Sequence, residues 1–241
     1  MKDFAAFFSR HERVMLQFSA GKDSAACLYL LEPFWDRLTV AWMNPGNPTR
    51  EVAAYMERIA SLVSNFLEVK GNQPEWVRQN GYPVDVLPFP STRLGRIASG
   101  AQAVRFASAE SCCRANMWEP MAEAVIAGDY TAVIRGQKAC DSLKIPIVSG
   151  TVIDGIEYCF PLEDWSDEQV FEFIGPNLPP GYARGLHCSI DCRNCTAYVA
   201  EHRGLVEDLL HDEPNAAAEI RAAHLELERQ LSEYIAELKG C

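Results

Sequence analysis

The chain has 241 residues, 48% of them hydrophobic, and a formal net charge of −11. That length supports one substantial core, or one core with a small appendage. A chain so acidic is a poor generic binder of nucleic acid or of anionic membrane.

The first eleven residues hold no long apolar stretch and no cleavage pattern. Val14-Met15-Leu16-Gln17-Phe18 is a short apolar run ending in a Ser/Gly loop, the pattern of a buried parallel strand. Asp23 to Leu31 follows as a helix. Its apolar stretch, Ala25 to Leu31, is far too short to span a bilayer. Leu38 to Met43 is a second strand, and Asn44-Pro45-Gly46-Asn47-Pro48 is a loop that no helix or central strand tolerates. Thr49 is placed as an N-cap, with Val52, Tyr55, Met56, Ile59 and Val63 at helical spacing. Phe66 to Val69 is a third strand. An irregular stretch rich in Pro and Arg leads to a helix over Met117–Ala127 and a fourth strand over Thr131–Ile134. Strands alternating with helices predict an α/β fold, a doubly wound parallel sheet with helices on both faces.

The second half changes character. Asp154-Gly155 between Val152-Ile153 and Ile156-Glu157-Tyr158 predicts a hairpin. Ser166 and Gln169 form a capping box that opens a helix through Ile174. Beyond Pro214, the apolar stripe Ile220, Leu227, Leu231, Ile235 and Leu238 predicts a long helix. The stripe suits packing on the body of the protein or a contact between copies. We therefore expect residues 1–150 to form an α/β core. Residues 151–241 are expected to form a C-terminal segment packed on that same domain. Charge is uneven: residues 78–144 carry eight basic side chains against six acidic, and residues 201–241 four against ten. The middle of the chain suits an anion, although most of these charges fit an ordinary solvated surface.

Ser19-Ala20-Gly21-Lys22-Asp23-Ser24 joins the first strand to the first helix. Small residues admit a phosphate, and amides at a helix N-terminus point at it. Ser19 and Ser24 offer hydroxyls, Lys22 a point charge, and Asp23 a ligand for Mg2+ held mainly by phosphate oxygens. The spacing is not Walker A.

Nine cysteines with no leader pattern predict a cytoplasmic protein with reduced thiols. Cys112-Cys113 and the Cys-x-x-Cys step Cys192 to Cys195 form a thiolate set from two distant segments. Zinc and an iron–sulfur cluster both take four thiolates. Adjacent cysteines diverge, which suits separate irons better than one tetrahedral ion. A buried core thiol at Cys112 or Cys113 is the bland alternative. Cys27, Cys140 and Cys159 fit structural roles, and Cys188 is a spare thiol near the step.

Gln17 to Ser24 resembles the Ser-Gly-Gly-x-Asp-Ser loop of the adenine-nucleotide alpha-hydrolase superfamily. That group contains ATP pyrophosphatases, the ATP sulfurylase small subunit and phosphoadenosine phosphosulfate (PAPS) reductases. Asn44-Pro45-Gly46 lies where the family has Asp-Thr-Gly. Gly136 to Ser142 resembles its Gly-x-Arg-x-x-Glu-Ser, Phe160 to Ser166 its Pro-Leu-x-Asp-Trp-Thr, and Cys188 to Thr196 its Ser-Ile-Gly-Cys-x-x-Cys-Thr. Five segments in order, from Arg13 to Thr196, mark the chain as similar to the PAPS reductase-like family, iron–sulfur branch. The resemblance implies an adenine-nucleotide site at Ser19, Ala20, Gly21, Lys22, Asp23, Ser24, Gly46, Lys138 and Ser142. It implies a 4Fe–4S cluster on Cys112, Cys113, Cys192 and Cys195.

Departures from the family bear on the reaction. Asn116 and Met117 stand where sulfonucleotide reductases carry Arg-Lys; Arg114 is the nearest remaining cation. Lys138 replaces an Arg, keeping charge but losing bidentate geometry. The family's C-terminal Glu-Cys-Gly-x-His-type nucleophile is missing, which leaves Cys241 as the candidate thiol. Lys22-Asp23-Ser24 resembles the ATP-cleaving branch. The expected reaction is cleavage of ATP to AMP and pyrophosphate, with Lys22 and Asp23 as catalytic residues, to activate a nucleic acid or small molecule for sulfur transfer. The alternatives are a reductase of APS or PAPS, with Cys241 attacking and a thioredoxin-like reductant releasing sulfite, and a non-enzymatic nucleotide or redox-sensing module.

Overall fold

The computed structural model describes residues 3–86, 92–99, 104–141, 144–188 and 190–240. Ser142 and Cys241, both expected site residues, lie outside the described residues. The first half runs α1 (Phe4–Arg10), β1 (Val14–Phe18), α2 (Lys22–Leu30), β2 (Leu38–Asn44), α3 (Arg50–Leu62), β3 (Asn65–Lys70), α4 (Gln73–Asn80), β4 (Tyr82–Val84), α5 (Arg93–Ser99) and β5 (Phe106–Ser108). The rest runs α6 (Ala109–Cys113), α7 (Glu119–Ala127), β6 (Ala132–Ile134), β7 (Val152–Ile153), β8 (Ile156–Cys159), α8 (Asp167–Ile174), α9 (Leu205–Asp212) and α10 (Pro214–Lys239).

Six strands form the main sheet in the order β3-β2-β1-β6-β8-β7. All neighbours are parallel except β7, which returns antiparallel to β8 through the Asp154-Gly155 turn. β1 is central because nearly every side chain on it is apolar: Val14, Met15, Leu16 and Phe18 are all buried. Alternation then divides the strands between two cores. Val14, Leu16, Phe18, Val40 and Ile134 pack with α2, α3 and α8 on one face. Met15, Ala41, Met43 and Val133 pack against Met121 and Val125 of α7 on the other. Strand order leaves β1 in opposite directions, toward β2 and toward β6. In such sheets the ligand crevice opens at the C-terminal strand ends, at that switch point. β8 of the C-terminal stretch completes the sheet begun in the first 150 residues.

The capping box of α8 and the Thr49 cap of α3 form as their sequences predict. The stretch between Val69 and Met117 does not stay irregular. It holds α4, α5, α6 and a separate parallel pair, β4-β5. α4 shows no apolar stripe; Asn72 caps it and Pro74 sits in its first turn. Strands of three residues are too short to display alternation. The helix expected from Met117 begins at Ala109 and reaches α7 through a π turn, Arg114–Trp118. α10 uses Ala216, Ala217 and Ile220 on the main core and Ala223 on a small core with Val84, Ala98 and Phe106. Its last turns leave Ile235 and Leu238 exposed. Among the described residues, no helix is long and apolar enough to cross a membrane.

Leu16 sits at the centre of β1 with no exposure. We expect Leu16→Ala to lower unfolding stability by about 2–5 kcal/mol in urea titrations. A loss below about 1 kcal/mol would contradict a core centred on this strand.

Candidate functional site

The loop after β1 is closed by its own hydroxyls. The Ser24 hydroxyl donates to the Gly21 carbonyl at 2.9 Å and receives the Ser19 backbone N–H at 3.3 Å. The Gly21 N–H donates to Ser19 Oγ at 3.3 Å. Ala20 turns the chain at a φ of 58°, the left-handed region. Gly21 then caps α2 without a side-chain bond, so the first amides of the helix face the crevice. Burial raises the pKa of the Tyr182 hydroxyl, and the Lys22 backbone beside it works the other way.

Above this loop five charged groups meet. Lys22 is 7% exposed and Lys138 only 1%. Lys22 Nζ lies 2.9 Å from Asp23 Oδ2 and 2.7 Å from Asp167 Oδ1. Lys138 Nζ lies 2.8 Å from Asp23 Oδ1, 2.8 Å from Asp141 Oδ1 and 3.3 Å from Asp167 Oδ1. Asp141 also accepts the Lys138 backbone N–H at 2.7 Å. Burial opposes charge on Lys138, but the bonds to Asp141 and Asp23 outweigh it and raise its pKa. The bond from Lys22 holds the Asp167 carboxyl below its usual range. Two ammonium and three carboxylate groups leave the cluster one negative charge in excess.

Lys138 reaches the loop because Gly136 permits it. A Cβ at Gly136 would lie 2.6 Å from the Asp23 carbonyl carbon and 2.7 Å from the Ser24 nitrogen. The chain leaving β6 is thus pressed against the first turn of α2. Gly46 turns at a φ of 103°, and its N–H donates to Asn44 Oδ1 at 2.8 Å. Beyond it, the Gly71 N–H donates to the Asn44 carbonyl and that of Gln73 to the Pro45 carbonyl.

The four paired cysteines line one cavity with Pro83, Asn116, Met117, Ala197 and Tyr198. Cys112 and Cys113 come from the end of α6, Cys192 and Cys195 from the loop before α9. Burial pushes the thiols of Cys112 and Cys195 up to about 12 and raises those of Cys113 and Cys192. Neighbouring thiols and carboxylates add to the effect. None of the eight described cysteines is in a disulfide. Among the described residues, no three His, Cys, Asp or Glu side chains stand as a set for a single metal ion. Cys27 and Cys159 are buried, and Cys140 is exposed.

Asn116 is more than a lost cation. It is buried, accepts the Asn72 backbone N–H at 3.1 Å and donates to the Cys112 carbonyl at 3.0 Å. Arg114 lies exposed beside Glu119 and stands in for no missing charge. Asp141, Asp167 and Tyr182 escaped the sequence reading. Asp167 reads as an ordinary acid in a helix first turn, and Asp141 as a turn residue. Only the fold brings them to Lys22 and Lys138.

Residues 13–197 match the model of the phosphoadenosine phosphosulfate reductase domain. Among solved structures, the chain is similar to the crystal structure of phosphoadenylyl-sulfate (PAPS) reductase from Candida auris in its phosphate complex. The two share 14% identity, over 74% of this chain and 80% of that one, with a TM-score of 0.48. No curated protein matches the chain.

Gly136→Ala is expected to destabilise the fold by about 1–3 kcal/mol through overpacking against α2. Thermal melts against the parent chain measure this, and an unchanged melting temperature would contradict the close approach.

Proposed function

Because the chain belongs to the phosphoadenosine phosphosulfate reductase domain family, we propose that it is an adenine-nucleotide enzyme of sulfur metabolism that cleaves ATP to AMP and pyrophosphate. Pyrophosphate leaves as the acceptor, a nucleic acid or a small molecule, is adenylated, and a sulfur nucleophile then displaces AMP from it. The observation that carries this reading is the convergence of Lys22 and Lys138 on Asp23 and Asp167 at the switch-point loop. Two lysines suit a leaving pyrophosphate, where charge develops as the bond to the α-phosphate breaks. A reductase acting on a sulfonucleotide would instead expel a nucleoside phosphate, with no pyrophosphate to neutralise.

In this proposal the α2 amides and the loop hydroxyls take phosphate oxygens, while Lys22 and Lys138 turn from the carboxylates to the outer phosphates. Mg2+ bound with the nucleotide supplies further neutralisation of the pyrophosphate. Asp23, with Asp141 and Asp167 beside it, is the group freed to face that cation. The negative excess of the cluster supports this pairing, since a bare triphosphate would meet net repulsion.

The cysteine cavity suits a soft metal group. Four sulfur donors line it beside Pro83, Met117 and Ala197, and its thiols resist ionisation unless a cation binds them. Successive side chains on a helix diverge, so Cys112 and Cys113 suit separate irons better than one zinc. Cys112, Cys113, Cys192 and Cys195 would hold a 4Fe–4S cluster, which supplies sulfur-handling or electron-carrying chemistry beside the nucleotide.

Family membership also favours a second reading, reduction of APS or PAPS with Cys241 as the attacking thiol and a thioredoxin-like reductant. Product analysis of the anaerobically purified protein separates the two. The first predicts pyrophosphate from ATP, retained in Cys241→Ser and reduced at least ~10²-fold in Lys22→Ala. Sulfite from PAPS, lost in Cys241→Ser, would contradict it.

A further inference from the structure

Immediately after the Cys-x-x-Cys step, the chain is clamped to the end of β4. Thr196 is buried and its hydroxyl donates to the Pro83 carbonyl at 2.6 Å. Asp85, just past β4, accepts the backbone N–H of Tyr198 at 2.7 Å and that of Val199 at 3.1 Å. These bonds hold Tyr198 at a φ of 56°, a left-handed conformation that a non-glycine residue otherwise avoids. The His202 N–H closes the turn on the Tyr198 carbonyl at 2.8 Å, and the His202 ring packs edge-on against the tyrosine at 6.0 Å.

This turn directs the Tyr198 hydroxyl to Cys113 Sγ at 3.4 Å. As a thiol, Cys113 can give or receive the proton of that contact. As a metal-bound thiolate it has no proton, so the hydroxyl must donate. We propose that Tyr198 is a hydrogen-bond donor to the Cys113 sulfur that tunes the metal group of the cysteine cavity, with Asp85 as its positioning residue. The inference rests on the iron–sulfur reading above. A hydrogen bond into a ligating sulfur withdraws electron density from the metal and favours the reduced state, raising the reduction potential. Asp85 acts through the backbone alone, by holding the residue in a conformation it would otherwise leave.

The test uses the full chain, purified anaerobically as wild type, Tyr198→Phe and Asp85→Asn. Iron and acid-labile sulfide are assayed first, then the midpoint potential and the iron–cysteine stretching frequencies in H2O and D2O. Tyr198→Phe removes one oxygen and keeps the ring. It is expected to retain wild-type iron and sulfide, to shift the potential lower, and to lose a deuterium-sensitive stretch seen in wild type. Asp85→Asn, with the hydroxyl present but loosely held, is expected to shift the potential in the same direction by less. A fully loaded Tyr198→Phe with unchanged potential and unchanged deuterium response would overturn the proposal while leaving the cluster reading intact. Wild type without iron and sulfide would overturn the cluster reading, and this inference with it.

Discussion

A lysine side chain with 1% exposure has to be neutralised, and the way Lys138 is neutralised organises one end of this molecule. Its three carboxylate partners come from three places: Asp23 from α2, Asp141 from the loop after β6, and Asp167 from the first residue of α8. Each stands where it does because of a neighbouring element. α2 is fixed by the buried strand before it, the Asp141 loop by the contact of Gly136 with α2, and α8 by its capping box. Lys22 shares two of the three carboxylates. Removing any one of these supports leaves a buried charge without its partner, which is far more costly than losing a surface ion pair.

A second constraint ties this site to the cysteine cavity. From the loop after β2, backbone bonds run through Asn44 and Gly71 to Asn72, and the Asn116 side chain carries the connection to Cys112. The fit is tight, since a Cβ at Gly71 would come 2.3 Å from the Asn116 carbonyl oxygen. The loop after β2 and the thiols are therefore joined by a short path through Asn72 and Asn116.

The sequence made some of this legible and hid the rest for physical reasons. The apolar run Val14–Phe18 followed by small residues announced both the central strand and the loop, because burial on two faces and close approach to a ligand each demand a residue type. Lys138 was found through the resemblance of its segment, and the paired cysteines through their spacing. Asp141, Asp167 and Tyr182 were hidden because their role depends on the crossing of distant elements, while locally they look like turn, helix-start and loop residues. Asn116 reads in the sequence only as a missing charge; its structural task depends on partners at Asn72 and Cys112 that the fold brings together. The β4-β5 pair was missed because three residues show no periodicity, yet it holds Asp85 and so positions Tyr198.

The central claim is that the lysine–aspartate cluster at the switch point is the nucleotide site, and that its negative excess makes binding depend on a divalent cation. Calorimetric titration of ATP into the protein, with and without Mg2+, tests it most directly when Lys138→Met is run alongside wild type. The account predicts binding to wild type that needs Mg2+ and weakens at least ~10-fold in Lys138→Met, the loss of one charge-assisted contact. Equal affinity with and without Mg2+, unchanged in the variant, would contradict it.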